Sequence, residues 1–537
     1  MRPFTIVPAI ALAAGVRAQM DEFEAPDFNV TEALLANGVN ISALPELAPL
    51  VERSTFSGCS IACNSLEIIY GDNKLLVEGS SPYDAFTGAY WSAMQAAVNP
   101  RCIFKPTSTI EVSSLVLLSR LTQCPFAVKG GGHAAFSGAS NIDGGITVSM
   151  ENFKKVEVSA DRKTADIGPG NRWVDVYTTL QKFDLGVVGG RMAPVGVPGL
   201  VLGGGISFFS NLRGWACDNV ESYEVVTASG LVVNATPKSY SDLYWALRGG
   251  GSNFGIVTNF KLHAFPLGQM WGGQRIYTEN DFAAVLDAIY KFAKTGSAKD
   301  TDAAEIVSFG NIAGVGKIAI VQTHYAKPVA NASVFSDFSV LKPIADNTGL
   351  GSLADMTVKM NEGAADGQRQ TQWDVTLKLD RDLFTFLINT FYTLLPEVAG
   401  FAGAFPTISI QAITEGQLAG MQKNGGNALG LNPSKGPYFV MNMSSRWTNA
   451  ADDAAILKFF STIIKTVKAE AQSKGLDNEY IYMNYASQFM DPISSYGAKN
   501  VDRLRRISKK YDPQQVFQKL HPGHFKLGGK APNANMP

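Results

Sequence analysis

The chain has 537 residues, of which 46% are hydrophobic and only 17% charged, so we expect a globular protein of several domains and exclude a largely disordered chain. Its 46 lysines and arginines nearly balance 47 acidic residues, and a net charge of -1 provides no field that would attract nucleic acid or an anionic membrane. The 52 glycines are clustered and not periodic, which excludes a collagen-like chain.

The amino-terminal segment is typical of a secretory signal. Arg2 precedes an apolar run from Ile6 to Val16, and Ala18 offers a small residue for cleavage. We therefore predict a signal peptide over residues 1–18 and a secreted protein, with a buried amino-terminal helix as the alternative. Secretion would allow glycans at five Asn-x-Ser/Thr triplets, which begin at Asn29, Asn40, Asn234, Asn331 and Asn442.

The five cysteines are an odd set, so an oxidising compartment allows at most two disulfides. We expect pairs among Cys59, Cys63, Cys102 and Cys124, with the connectivity left open, and a buried thiol at Cys217. No second Cys or His pair follows Cys59 and Cys63 at zinc spacing, so no metal site is predicted.

Secondary-structure signals change along the chain and predict two domains. Residues 19–96 form a leader and the start of the first domain. From 97 to 267, a helix over residues 172–185 interrupts short β-rich runs, which are Phe126–Val128, Ile146–Val148, Val156–Val158, Ala165–Ile167 and Tyr223–Val226. From 268 to 475 longer helices predominate, one with an apolar face from Phe282 to Phe292 and another over Ala454–Ser473. Residues 476–537 form a carboxy-terminal segment with a predicted strand over Tyr480–Tyr485 and a helix over Val501–Lys510.

Three glycine clusters lie in the β-rich region, at residues 130–132, 203–205 and 249–251. Glycines in series let backbone amides approach a ligand without interference from a Cβ atom, and such amide arrays stabilise phosphate charge. A tight turn explains any one cluster equally well, but three together favour a cofactor diphosphate. A Rossmann fingerprint does not fit, because residues 134–138 after the first cluster are poor helix formers, and no Gly-Lys-Ser/Thr P-loop is present.

His133 directly follows the first cluster. A histidine in such a position is commonly a hydrogen-bonded structural residue, but a neutral imidazole nitrogen can also attack an electrophilic carbon. The methyl group of a quinoid flavin is a carbon of that kind, so His133 is a candidate for a covalent flavin link.

Six motifs occur in order along the chain: PFAVKGGGHAAFSGASNIDGGITVSM, GPGNRWVDVY, VGGRMAPVGVPGLVLGGGIS, RGWACDNVESYEVVTASG, DLYWALRGGGSNFGIVT and YDPQQVF. Together they resemble flavin-linked oxidases of the vanillyl-alcohol oxidase superfamily, close to its berberine-bridge-enzyme-like branch. The resemblance implies an α+β fold with a PCMH-type FAD-binding domain of two α/β subdomains over residues 97–267. It also implies a substrate domain over residues 268–475, whose antiparallel sheet is covered by helices, and a return of residues 476–537 to the FAD domain.

The resemblance implies FAD as the cofactor, bonded covalently to His133. Many relatives add a second bond from a cysteine, but Met192 stands at the corresponding position here, and a thioether cannot replace a thiolate, so we predict a single link. The remaining cofactor contacts that the resemblance implies are Lys129, Gly130, Gly131, Gly132, Ser137, Gly138, Gly199, Gly203, Gly204, Gly205, Ser207, Asp218, Gly255, Ile256, Val257 and Asn484.

Substrate oxidation by FAD requires a base for the substrate proton. Relatives use the tyrosine of a Tyr-x-Asn motif, which assigns this role to Tyr482. The resemblance thus implies a secreted FAD-dependent oxidoreductase that oxidises a small alcohol, amine or secondary metabolite and passes the electrons to O2, with neither nucleic acid nor membrane as a partner. The alternatives are a flavin-retaining non-redox cyclase or binding protein, and an oligosaccharide oxidase with sugars stacked on Trp271, Trp373 and Trp447.

The remaining histidines and two further tryptophans are interpreted as structural. His521 and His524 flank Pro522 and Gly523 and are expected in a surface turn without metal-binding geometry. The other residues in this group are His263, His324, Trp173 and Trp215.

Overall fold

The computed structural model describes residues 23–44, 58–362 and 365–537, so the predicted signal peptide lies outside the described residues. The first sheet consists of β1 (Leu75–Val77), β2 (Cys102–Phe104), β3 (Phe126–Lys129) and β4 (Ile146–Ser149) in the order β1-β2-β4-β3, and all but β1 are parallel. The first glycine cluster directly follows β3. The helices around this sheet are α1 (Val30–Ala36), α2 (Cys59–Tyr70), α3 (Ser81–Gly88), α4 (Ala93–Ala96) and α5 (Thr109–Thr122).

Two disulfides attach α2 to the first sheet. Cys59 pairs with Cys124, two residues before β3 begins, and Cys63 pairs with Cys102, the first residue of β2. Cys59 and Cys63 are four residues apart and lie on one face of the helix, so both reach the same sheet. The prediction of disulfides among these four cysteines is confirmed, as is a buried free thiol at Cys217.

The second sheet is antiparallel and carries the other two glycine clusters. Its strands are β5 (Val156–Val158), β6 (Thr164–Ile167), β7 (Leu185–Val187), β8 (Val220–Val226), β9 (Val232–Ala235) and β10 (Ile256–Pro266), in the order β5-β6-β10-β8-β9 with β7 paired to β10. The helices are α6 (Trp173–Leu180), α7 (Val197–Leu202), α8 (Ser210–Arg213) and α9 (Ser241–Leu247). The helix predicted over residues 172–185 is shorter than expected, because a left-handed residue, Asp184, ends a final 3-10 turn before β7.

The third sheet is antiparallel and has helices packed on it. Its strands are β11 (Met270–Thr278), β12 (Ala303–Ile312), β13 (Gly316–Tyr325), β14 (Ala345–Asp346), β15 (Gly349–Gly351), β16 (Arg369–Lys378), β17 (Thr407–Ile413) and β18 (Tyr438–Trp447), in the order β14-β11-β13-β12-β17-β18-β16 with β15 on β11. The helices are α10 (Phe282–Lys291), α11 (Ser297–Lys299), α12 (Ser336–Ser339), α13 (Leu353–Met360), α14 (Arg381–Leu394), α15 (Glu415–Gly420) and α16 (Asp453–Ser473). The predicted fold class, an FAD-binding part with a helix-covered antiparallel sheet, is confirmed.

The carboxy-terminal segment contains α17 (Ala498–Tyr511) and α18 (Val516–Lys519), and α17 packs against α9 of the second sheet. Phe517 of α18 packs edge-on against Phe126 of β3, so the chain ends against the first sheet. No helix within the described residues is both long and apolar enough for a membrane span.

The predicted strand over Tyr480–Tyr485 is wrong. Residues 478–482 have no regular secondary structure and no ladder partner, and Met483–Tyr485 form a 3-10 turn. The backbone N–H of Tyr482 donates to Asp374 Oδ2 over 2.8 Å, a side-chain acceptor that takes the place of a neighbouring strand. As a result Tyr482 and Tyr485, and not Tyr480, line the central cavity.

Candidate active site

A cavity of about 490 Å³ lies between the glycine-cluster loops and the third sheet. Its floor includes all three loops, represented by Gly131, Gly203 and Gly251. Its roof is formed mostly by neutral polar side chains of the third sheet, together with Ile306 and the cation Arg446. The neutral polar residues are Ser308, Gln322, Gln370, Gln372, Thr407, Ser409, Gln411, Asn442, Ser444 and Ser445. Residues 482–486, His521 and His524 contribute from the carboxy-terminal segment.

Close backbone contact explains the first glycine cluster. A Cβ atom on Gly131 would lie 2.5 Å from the Cα of Gly196, and one on Gly130 would lie 2.5 Å from the Cγ of Pro198. Gly132 has φ +69°, a conformation that L side chains rarely adopt. The loop after β3 is therefore pressed against the segment that begins α7, and its amides remain open to the cavity.

Replacing Gly131 with alanine is expected to weaken flavin binding, because the added methyl forces apart the two loops that form the cavity floor. Overpacking of this kind costs about 1–3 kcal/mol. The ratio of flavin to protein absorbance in purified protein measures the loss. Gly268→Ala is the matched control, since no atom lies within 4 Å of its added Cβ; equal flavin content in both variants would contradict the role of this contact.

His133 lies in the cavity wall with its ring stacked on Trp91, at a centroid distance of 4.0 Å. Its Nε2 is buried and has no hydrogen-bond partner among the described residues. Burial lowers the pKa of His133 to about 4, so the imidazole is neutral at physiological pH. A neutral ring held rigidly, with an unused nitrogen, suits covalent attachment to an electrophilic carbon.

The structure brings together many of the predicted cofactor contacts. Besides His133 and Tyr482, the predicted residues that line the cavity are Gly130, Gly131, Gly132, Gly199, Gly203, Gly255, Ile256, Val257 and Asn484. Those outside the lining are Lys129, Ser137, Gly138, Gly204, Gly205, Ser207 and Asp218.

Three of the outlying residues have other contacts in the fold. The Lys129 ammonium lies over the rings of Phe86 and Tyr90, Ser137 Oγ donates to the Met94 carbonyl, and Ser207 Oγ accepts from the Gly189 N–H. These side chains support the loops and do not face the cavity.

Asp218 belongs to a buried ion pair and does not reach the cavity, which corrects its prediction as a cofactor contact. Arg248 donates to Asp218 Oδ1 over 2.9 Å, and both side chains are fully buried. Arg248 also donates to the carbonyls of Cys217 and Gly426. The pair therefore connects the second sheet to the loop between α15 and β18.

Tyr482 is engaged at its phenol oxygen by two donors. The backbone N–H of Ile206 and Nδ2 of Asn484 both donate to Tyr482 Oη over 3.0 Å. The side chain is 1% exposed, and burial raises the pKa of Tyr482 above its ordinary value even though both hydrogen bonds lower it. The phenol is thus protonated at neutral pH, and the role of Tyr482 as the base stays a prediction.

Arg191, Gln411 and Tyr485 form a hydrogen-bonded cluster that sequence reasoning missed. Nη2 of Arg191 donates to Gln411 Oε1 over 2.7 Å and to Tyr485 Oη over 2.8 Å, and Gln411 Nε2 lies 3.2 Å from the same phenol oxygen. All three residues line the cavity. One signal was available, since Arg191 is a cation within the otherwise apolar, glycine-rich motif VGGRMAPVGVPG.

The prediction of His521 and His524 in a surface turn is wrong. Both line the cavity, and His521 is only 3% exposed, with its ring stacked on Phe126 and its Nδ1 3.2 Å from the carbonyl oxygen of Ser252. His324 is buried against Phe208, and His263 is exposed beside Glu221.

The structure also bears on the roles predicted for five tryptophans. Trp271, Trp373 and Trp447 are at most 3% exposed and do not line the cavity, so they cannot stack sugars there. Trp173 and Trp215 are buried packing residues, as predicted.

Asn442 is 8% exposed on β18 and faces the cavity, so its triplet is not a glycan site in the folded chain.

Comparison with known proteins agrees with this geometry. Residues 100–236 match the family model described as FAD binding domain, and residues 481–521 match the model described as berberine and berberine like. A FAD-dependent monooxygenase of Fusarium proliferatum is 36% identical, and the alignment covers 90% of this chain and 98% of that protein. The chain belongs to the berberine-bridge-enzyme-like family of FAD-binding oxidoreductases. Another relative of this berberine-bridge-enzyme-like chain is the bifunctional solanapyrone synthase of Alternaria solani, 31% identical over 93% of this chain and 94% of that protein.

Solved structures support the same fold for this berberine-bridge-enzyme-like chain. The 6-hydroxy-D-nicotine oxidase of Arthrobacter nicotinovorans superposes with a TM-score of 0.69 at 20% identity, covering 86% of this chain and 97% of that one. The xylooligosaccharide oxidase of Myceliophthora thermophila superposes with a TM-score of 0.68 at 20% identity, covering 86% and 98%. At these identities the likeness concerns the fold alone.

Proposed function

We propose that this berberine-bridge-enzyme-like protein is an oxidoreductase with one FAD bonded covalently to His133. The observation that carries the proposal is the neutral His133 ring, whose buried Nε2 has no partner among the described residues and which lies beside the glycine loop of residues 130–132. These residues fit a flavin dinucleotide, since backbone amides complement phosphate and the imidazole is a suitable nucleophile. The absence of a thiol at Met192, which lines the same cavity, supports a single link.

The bound FAD supplies an acceptor for a hydride equivalent from the substrate. The chain must then hold the substrate beneath the third sheet and accept a proton from its hydroxyl or amine. We assign the proton acceptor to Tyr485, because it lines the cavity and its phenol oxygen accepts a charge-assisted hydrogen bond from Arg191 Nη2. Tyr482 instead positions Ile206 and Asn484 through its two hydrogen bonds.

Tyr485→Phe is expected to slow anaerobic flavin reduction about a hundredfold or more, the usual effect of removing a general base. Tyr482→Phe leaves the proposed proton acceptor, Tyr485, unchanged and is therefore expected to slow flavin reduction far less. Stopped-flow absorbance with a substrate found in a panel of alcohols, amines and secondary metabolites measures both rates. A larger loss in Tyr482→Phe than in Tyr485→Phe would return the role to Tyr482.

The electrons pass to O2 in this proposal, which the names of several relatives as monooxygenases support. The same substrate panel tests the redox function: donors should bleach the flavin without oxygen, and readmitted oxygen should restore its colour and yield peroxide. Bleaching without peroxide would identify a dehydrogenase, and a flavin that no donor bleaches would favour a non-redox cyclase or binding protein. An oligosaccharide substrate is not favoured, because the cavity has none of the three tryptophans proposed for stacking.

We also propose that the protein is secreted after removal of residues 1–18. Two disulfides among the described residues agree with an oxidising compartment. Of the triplets predicted for glycans, Asn29, Asn40, Asn234 and Asn331 are exposed.

A further inference from the structure

Arg191 is a cation inside the cavity without a carboxylate partner among the described residues. It lies between β7 and α7, and its only hydrogen bonds within the described chain run from Nη2 to the side-chain oxygens of Gln411 and Tyr485. Its Nε and Nη1 groups are therefore free to bind a ligand. Five other arginines have a carboxylate within 4.0 Å, namely Arg120, Arg248, Arg275, Arg369 and Arg381, whereas Arg191 has none among the described residues.

Nearby acidic residues do not neutralise this charge. Glu362 also lines the cavity, but it accepts a hydrogen bond from Asn347 Nδ2 over 3.0 Å and lies outside ion-pair distance of Arg191. Glu305 on β12 is buried, and burial raises its pKa to about 8, so its carboxyl is protonated at neutral pH. The third-sheet side chains that line the cavity are mostly amides and hydroxyls, and the charged one among them, Arg446, is a second cation that cannot neutralise Arg191.

The orientation of the guanidinium is also determined. Gln411 and Tyr485 both accept from Nη2, so the remaining donors are Nη1 and Nε, whose N–H groups point in different directions and act singly. A charge-assisted hydrogen bond from one of them to an oxyanion is about twice as strong as a neutral one. A cation that is partly removed from water and left unpaired is unfavourable, so the cavity is complete only with an anionic ligand.

We propose that Arg191 recognises an oxyanion of the substrate, so the enzyme selects alcohols or amines that carry a carboxylate or an acidic enol. This inference rests on the proposed function, because it names a substrate class for the same cavity. Gln411 and Tyr485 act as positioning residues for the guanidinium in this recognition.

The test uses the purified flavoprotein and two probes of the same shape, benzoate and benzamide, titrated while the flavin absorption spectrum is recorded. Wild-type protein is expected to bind benzoate at least about tenfold more tightly than benzamide, the loss that follows from removing one charge-assisted hydrogen bond. Arg191→Met is expected to abolish this preference and leave benzamide binding unchanged. Arg191→Lys keeps the charge but not the position of the guanidinium donors, and an intermediate preference is expected.

Arg446→Met is the matched control, since Arg446 lines the same cavity. An equal loss of benzoate binding in Arg446→Met would show a general positive potential and overturn the assignment to Arg191. Equal affinity of the wild-type protein for the two probes, or failure of both to bind, would overturn this inference. If the protein still contained flavin, the proposed function would stand. A colourless protein would instead count against the proposed function itself.

Discussion

His133→Ala is expected to release the flavin from the polypeptide without emptying the cavity. The substitution removes the nitrogen that would bond to the cofactor but leaves the glycine loops, Tyr482 and Asn484 unchanged. After acid precipitation the wild-type pellet should stay yellow, whereas the flavin of His133→Ala should move entirely into the supernatant. Electrospray mass spectrometry of the denatured chains should show a flavin adduct only in the wild type.

His263→Ala is the control for this prediction, because His263 is an exposed histidine beside Glu221 and remote from the cavity lining. It should retain the adduct. A wild-type chain without any adduct would refute the covalent link, and an adduct that persists in His133→Ala would place the link at another residue, with Met192 excluded by its chemistry. Either result would leave the family assignment intact.

Arg248→Met is expected to lower the free energy of unfolding by about 3–5 kcal/mol, the usual cost of leaving one buried charge unpaired. Asp218 would lose its ion-pair partner Arg248 while remaining fully buried, and the carbonyls of Cys217 and Gly426 would each lose a donor. The expected result is a large fall in the midpoint of thermal or urea unfolding, measured with the flavin bound.

Two variants separate this effect from a general loss of charge. Arg381→Met removes a partly exposed pair with Asp287 and should cost about 0–1 kcal/mol. The double variant Arg248→Met with Asp218→Asn should recover part of the stability, because no unpaired charge remains. If Arg248→Met proves no worse than Arg381→Met, the buried pair does not hold the second sheet to the loop before β18.

Much of the fold was predictable because its signals are local. Alternating apolar residues identified strands such as Ile146–Ser149, and helical spacing from Phe282 to Phe292 identified α10. Clustered glycines identified loops that must approach another backbone, which the contact of Gly131 with Gly196 explains. Each of these signals lies within a short stretch of chain, where propensity and periodicity act directly.

The run Tyr480–Tyr485 shows where such reasoning fails. Its β-rich composition favours a strand, but the Tyr482 N–H bonds to Asp374, which is 108 positions away in sequence. Likewise, the sequence His-Pro-Gly-His has the composition of an exposed turn, yet a Cβ on Gly523 would lie 2.1 Å from the Gly138 carbonyl oxygen, so this turn packs tightly on the loop after β3. Tertiary contacts override local preference in both cases.

The amino-acid sequence by itself determined the family, the glycine floor, the candidate cofactor histidine and the set of cysteines that pair. Only the tertiary structure decided which cysteines join, that Asp218 serves an ion pair, and that Arg191 meets Gln411 and Tyr485 from 220 and 294 positions away. The physical reason is that backbone geometry and periodic burial act over a few residues, whereas a charge and its partners become neighbours only when separate sheets pack together.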